Sequence, residues 1–176
     1  KSFDQVASDL GVAIDKFLSD PATATAVLGA IQSTDTLARI DDAPKLADVV
    51  LASRRIENPE FPSAQVRAPV LLKCDAGNEA AYMQERFGPI SFVVKVPDSL
   101  SAVALSERIV NEHGALTVGL YSTRQEIIDA MTAATLRAGV ALSVNLTSNV
   151  FVNQSAAFSD FHATGANPAA NASYTD

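Results

Sequence analysis

The fold is decided by the run ISFVVKV (90–96), SLSAVALSERIVNEHG (99–114), ALTVGLY (115–121), TRQEIIDAMTAATLRAG (123–139) and VALSVN (140–145). Three short apolar runs are separated by two stretches with apolar residues at helical spacing, which reads as strand, helix, strand, helix, strand. Thr123 with Glu126 three residues on has the form of a capping box for the second helix. Ile127, Met131, Ala134 and Ala138 share one face of it, and Gly139 supplies a left-handed ending. Connections this short between strand and helix mean crossover units, which build parallel strand pairs covered by helices. The fold class expected is α/β, a helix-covered sheet with parallel crossover units.

Working outward, Val66 to Cys74 reads as a further strand and Asn78 to Arg86 as a short helix delivering the turn Glu85-Arg-Phe-Gly-Pro89. Nearer the amino terminus, Val6, Leu10, Ala13, Ile14, Phe17 and Leu18 recur at helical spacing, so residues 3–19 are expected as an amphipathic helix stopped by Asp20-Pro21. An alanine-rich helix is expected over 22–32, a break at Asp41, Asp42 and Pro44, and a short strand at Val49–Leu51. Asn58-Pro-Glu-Phe-Pro-Ser63 carries the turn chemistry of an exposed connection, and the stretch 155–176, rich in Ala, Ser, Asn and Gly, reads as a loop-rich tail.

With 176 residues, 48% hydrophobic and 19% charged, one domain over 1–176 is the expected organisation. No apolar run approaches the ~20 residues that span a bilayer, and Lys1-Ser-Phe-Asp4 carries no signal pattern, so a membrane is not expected as a partner. A chain opening this way reads as part of something longer. If so, the faces Val6-Leu10-Ile14-Phe17 and Ile127-Met131 are expected to be poorly covered. A net charge of −7 with 13 unclustered Lys and Arg argues against nucleic acid. One cysteine and two distant histidines, His113 and His162, allow neither an internal disulfide nor an evident metal site, which fits a reducing cytoplasm. Asn-x-Ser/Thr triplets at Asn145, Asn153 and Asn171 lack the secretion signal that glycosylation needs.

Glu85-Arg-Phe-Gly-Pro89 resembles the Glu-x-Phe-Gly-Pro signature of the aldehyde dehydrogenase superfamily, and the elements after it agree in order and spacing: Ile90–Val96, Leu100–Val110, Val118-Gly-Leu-Tyr-Ser122, the 123–138 helix and Gly139-Val-Ala-Leu-Ser-Val-Asn145. A carboxylate accepts from two vicinal hydroxyls at once. The resemblance therefore implies that Glu85 holds the nicotinamide ribose and that Phe87 packs beside the nicotinamide of NAD or NADP. Farther on, Phe158-Ser-Asp-Phe-His-Ala-Thr-Gly165 keeps the phenylalanine, a hydroxyl residue and the final glycine of the family's Phe-Gly-Gly-x-Lys-x-Ser-Gly, with Ser159, Asp160 and His162 replacing the glycines and lysine. That tail, through Asn171, is similar to the PaaN type of phenylacetic acid degradation protein. The family likeness is most specific over 66–176 and looser over 1–65.

The resemblance implies the carboxy-terminal part of a catalytic domain, from an enzyme that oxidises a ring-opened aldehyde of aromatic catabolism, with Phe158 bordering the substrate tunnel; the poorly covered apolar faces lead to the expectation of a homo-oligomer. The family's catalytic cysteine, its glutamate base, its oxyanion-stabilising asparagine and its nucleotide fold have no counterpart motif here, so the chain alone is expected to be inactive and no catalytic residue is assigned. Cys74 precedes the signature too closely to be the family nucleophile, and reads as a small residue at a strand end. His162 reads either as a site neighbour or as a loop histidine bonding backbone, Phe158 and Phe161 either as tunnel or as anchors of the tail, His113 as a helix-end donor, and Asp41, Asp42 and Asp48 as a solvated face. The rival to the enzyme reading is a non-catalytic α/β binding or assembly module.

Overall fold

The computed structural model describes residues 1–115 and 117–147. They fall into two compact units, the first Lys1–Val96 and the second from Pro97 onward.

The first unit opens with α1 (Phe3–Phe17), capped by Ser2, whose hydroxyl accepts from the Gln5 amide at 3.2 Å. Its inward face is Ala7 and Gly11, continued by Ile14 and Leu18, not the larger residues Val6, Leu10 and Phe17, which stay exposed. Backbone approach explains the choice. A Cβ at Gly11 would lie 3.0 Å from Val50 Cγ1, so only the small-residue face lets α1 come this close to the strand β1 (Asp48–Leu51). Next, α2 (Pro21–Val27) starts with Pro21 in its first turn and is capped by Asp20, which accepts from the Thr23 amide at 2.8 Å and the Thr23 hydroxyl at 2.7 Å; those bonds hold the Asp20 carboxyl below its ordinary range. It ends at Val27 rather than at 32, because Leu28 turns extended and Ile31 donates to the Gln65 carbonyl instead of to a helical turn.

A third helix, α3 (Thr34–Asp42), fills a stretch for which the sequence suggests only a break. Its buried residues are Thr36 and Ile40, with a 3-10 turn (Ala43–Lys45) after it. The single strand expected over 66–74 is two strands. Pro69 has no amide to donate, so the ladder is interrupted there: β3 (Val66–Arg67) pairs antiparallel with β2 (Arg55–Ile56), and β4 (Val70–Asp75) joins a separate three-stranded sheet. That sheet has the order β1-β4-β5, with β5 (Ile90–Lys95) parallel to β4 from Val70↔Ile90 to Asp75↔Lys95 and β1 antiparallel on the other side. Helix α4 (Glu79–Tyr82) is shorter than the expected 78–86. Leu18, Ala24, Ile56, Val66 and Ala68 form one core of this unit; Ala43, Val70 and Leu72 form another, with Ile90 and Phe92 against it.

In the second unit α5 (Ser99–His113) is capped by Asp98, which accepts from the Ser101 amide at 2.7 Å, and closes at Gly114 with φ 77°. Strands β6 (Thr117–Leu120) and β7 (Ala141–Val144) run parallel, connected by α6 (Gln125–Ala138), as crossover logic requires. The capping box does not form. Arg124 takes the N-cap position without a side-chain cap bond, and Glu126 pairs with the Arg124 guanidinium instead of returning to the backbone. Gly139 does end α6 in the left-handed region, φ 68°. Ile127 and Met131, expected to be poorly covered, are buried with Val103, Leu120 and Ala134, because α5 supplies Val103 to the α6 face. Arg137 and Glu107 add a two-pronged ion pair between the helices, at 2.7 and 2.8 Å.

Candidate functional site

Glu85, Arg86 and Phe87 lie in irregular backbone between α4 and β5. The segment has to return the chain from the end of β4 to the start of β5, since the strands of a parallel pair both begin at the same edge of the sheet. Its downstream end is tied by two bonds, Val70 N–H to the Pro89 carbonyl at 2.9 Å and Ile90 N–H to the Gly88 carbonyl at 2.8 Å. Gly88 has φ 141°, outside the range of ordinary L residues, and a Cβ there would sit 3.1 Å from the Thr36 methyl of α3. At the upstream end Arg86 Nη2 donates to the Ala80 carbonyl at 3.2 Å, drawing the Arg86 side chain back over α4, while its buried Nε has no hydrogen-bond partner among the described residues. Midway, Arg39 Nε donates to the Phe87 carbonyl at 3.0 Å, and Arg39 Nη2 donates to Thr36 Oγ1 at 2.8 Å.

On this fixed backbone two side chains face outward. Glu85 is exposed, and among the described residues its carboxylate has no hydrogen-bond or ion-pair partner. Phe87 is 73% exposed. A free carboxylate two residues from a free aromatic face can accept hydrogen bonds from a vicinal diol while the ring packs on a flat heterocycle, and neither group has to break a protein contact first. The acceptor carboxylate and the ring thus fit the ribose and ring of a dinucleotide, which, once bound, would accept hydride.

The remaining sequence candidates sit elsewhere. Cys74 is half-buried near the end of β4, and burial, followed by the neighbouring Asp75 charge, pushes its thiol up from its ordinary value, the wrong direction for a nucleophile. His113 is the last residue of α5, 3.8 Å from Glu112. The acidic stretch is divided among separate cations, Asp41 with Arg67 at 3.1 Å and Asp42 with Lys45 at 2.5 Å. Among the described residues no group of three or more His, Cys, Asp or Glu could hold a metal, and no helix is long and apolar enough to cross a membrane. A cavity of about 370 Å³ between α1 and β1 is lined by Asp4, Gly11, Asp15, Val50 and Lys73, but the Lys73–Asp4 pair at 2.5 Å stands in it and the Glu85 turn does not. Phe158, Phe161 and His162 lie outside the described residues. The residues that sequence reasoning missed are Thr36 and Arg39. Their spacing, i and i+3 on one helix face, is the only signal, and it is invisible until 34–42 is read as a helix.

The same arrangement of elements occurs in a solved structure. An NAD-dependent aldehyde dehydrogenase from Burkholderia multivorans superimposes over 96% of this chain with a TM-score of 0.85 and 49% sequence identity. The homologues of this chain are aldehyde dehydrogenases. A second relative, the succinate-semialdehyde dehydrogenase (NADP(+)) of Deinococcus radiodurans, is 36% identical over 110 residues, 59% of this chain. No family model matches the chain. Sequence and fold together support the aldehyde dehydrogenase superfamily, and the α/β class with parallel strand pairs is that of an aldehyde dehydrogenase portion. The chain spans 30% of the Burkholderia protein and 22% of the Deinococcus protein.

Proposed function

We propose that residues 1–176 form one carboxy-terminal part of the catalytic domain of an NAD(P)-dependent aldehyde dehydrogenase, in which Glu85 holds the nicotinamide ribose and Phe87 packs beside the nicotinamide. The observation that carries this is the free, outward carboxylate and ring on the anchored Glu-Arg-Phe-Gly-Pro turn. The names of both relatives support NAD or NADP as the oxidant and a small-molecule aldehyde as the substrate. The tail from Phe158 to Asn171 supports the finer reading, a PaaN-type enzyme oxidising a ring-opened aldehyde of phenylacetate catabolism, with Phe158 bordering the substrate tunnel. The working location is the cytoplasm. The working form is a homo-oligomer, a reading supported by the apolar residues Val6, Leu10 and Phe17 that α1 leaves exposed.

Glu85→Gln in the full-length enzyme is the test. The amide still occupies the space but loses charge-assisted bonds to two hydroxyls, which should cost about 1.5–3 kcal/mol in cofactor handling. The expected result is a weakened cofactor dependence with an unchanged thermal melt, because the side chain has no protein partner to lose. An unchanged dependence on NAD and NADP, or a collapsed melt, would show that Glu85 is merely part of the connection from α4 to β5.

A further inference from the structure

We infer that Arg39 of α3, seated by Thr36, is a positioning residue for cofactor binding, acting through the backbone of the Glu85–Pro89 turn; this rests on the proposed role of Glu85 and Phe87.

The turn carries both candidate contacts but has no secondary structure of its own. Its ends are tied to α4 and to the β4–β5 edge, and between those ends the Arg39 side chain bonds its backbone, at the Phe87 carbonyl. A peptide is planar, so fixing the Phe87 oxygen fixes the Phe87–Gly88 plane, and with it ψ of Phe87 and φ of Gly88. That φ, 141°, is one that glycine reaches at no special cost but leaves as readily, so something outside the turn has to select it. The guanidinium does so as a fork: Nε reaches the Phe87 carbonyl and Nη2 reaches Thr36 Oγ1, three residues earlier on the same helix. Thr36 is buried and has a second contact, its methyl lying 3.1 Å from where a Gly88 Cβ would stand, so the threonine both aims the arginine and floors the turn. The two outward side chains therefore take their direction from α3, 48 residues upstream of the carbonyl that Arg39 holds.

A flat, two-donor fork is what arginine supplies and lysine does not. In the full-length dehydrogenase, Arg39→Ala should raise the cofactor KM, and the NAD(P) dissociation constant measured by fluorescence titration, about tenfold, the loss of one hydrogen bond from a charged donor. The loss in kcat/KM should fall in KM for the cofactor rather than in kcat, with the aldehyde KM held. Arg39→Lys, keeping one donor, should recover part of the affinity, and Thr36→Val, keeping the methyl but removing the acceptor, should shift it in the same direction as Arg39→Ala by a smaller factor. A merely structural arginine would lower the melting temperature and the active fraction and leave the KM of the remaining enzyme alone; that outcome overturns the inference. Glu85→Gln measured alongside separates the two ideas. If Glu85→Gln weakens cofactor binding while Arg39→Ala and Thr36→Val do not, the positioning role falls and the cofactor turn stands. If none of the three changes it, the cofactor turn falls and the positioning role with it. Should Arg39→Ala fail to fold, Arg39→Lys and Thr36→Val decide by the same criteria.

Discussion

Produced alone, the 176-residue chain should reduce neither NAD nor NADP with any aldehyde, a loss on the order of 10⁵-fold or more against the full-length enzyme, since removal of a covalent nucleophile alone costs that much. The expectation rests on the thiol inventory. Cys74 is the one cysteine among the 176 residues, and burial together with the adjacent Asp75 disfavours its thiolate. Attack on an aldehyde carbon needs the thiolate, so at neutral pH this thiol is the wrong species, and it is held in a strand ladder that pairs it with Val94. Absorbance at 340 nm with a panel of aldehydes checks the claim, with Cys74→Ala as the control. Turnover by the isolated chain that vanishes in Cys74→Ala would overturn it.

The largest expected effect on stability is at Leu72. It is fully buried in β4, the middle strand of the β1-β4-β5 sheet, beside Val70 and Ala43. Leu72→Ala removes three carbons from a site walled on both sides by paired strands, which have little room to collapse into the space, and should cost about 3–4 kcal/mol. By contrast Val12→Ala, on an α1 residue 65% exposed, should change stability by about 0.5 kcal/mol or less. Chemical denaturation of the two variants, side by side with the parent, measures the difference. A Leu72→Ala variant as stable as Val12→Ala would mean that β4 is not the strand around which this unit is built.

Much of the architecture is legible in the residues because local signals and tertiary demands coincide. From Ile90 to Val144 the apolar runs and the helix-ending glycines agree: Gly114 and Gly139 end the two helices, and β6 and β7 come out parallel. The first ninety residues show where they part. Helical spacing in α1 marks one apolar face, Val6-Leu10-Ile14-Phe17; of these Ile14 packs against the core while Val6, Leu10 and Phe17 stay exposed, because the close approach to Val50 turns Ala7 and Gly11 inward for their lack of bulk. Helix α3 has only Leu37, Ile40 and the half-polar Thr36 to announce it, and Pro69 divides a hydrophobic run that periodicity reads as continuous. The capping box fails for an electrostatic reason, since the arginine between Thr123 and Gln125 captures Glu126 for itself.

The candidate site divides along the same line. Glu85 and Phe87 are legible as a motif, because a motif is a statement about neighbours in sequence, and the structure leaves both side chains outward and uncommitted. The clamp beneath them is not legible. Arg39 and Phe87 are 48 residues apart, and the bond joins a side chain to a carbonyl, a group every residue carries and no composition can flag.

A crystal structure of the full-length enzyme with NAD or NADP bound tests the central claim most directly. The account predicts the Glu85 carboxylate within ~2.5–3.0 Å of both hydroxyls of the nicotinamide ribose, with the Phe87 ring against the nicotinamide side of the cofactor. A bound cofactor whose nicotinamide ribose lies away from Glu85, its hydroxyls held by other residues, would contradict it.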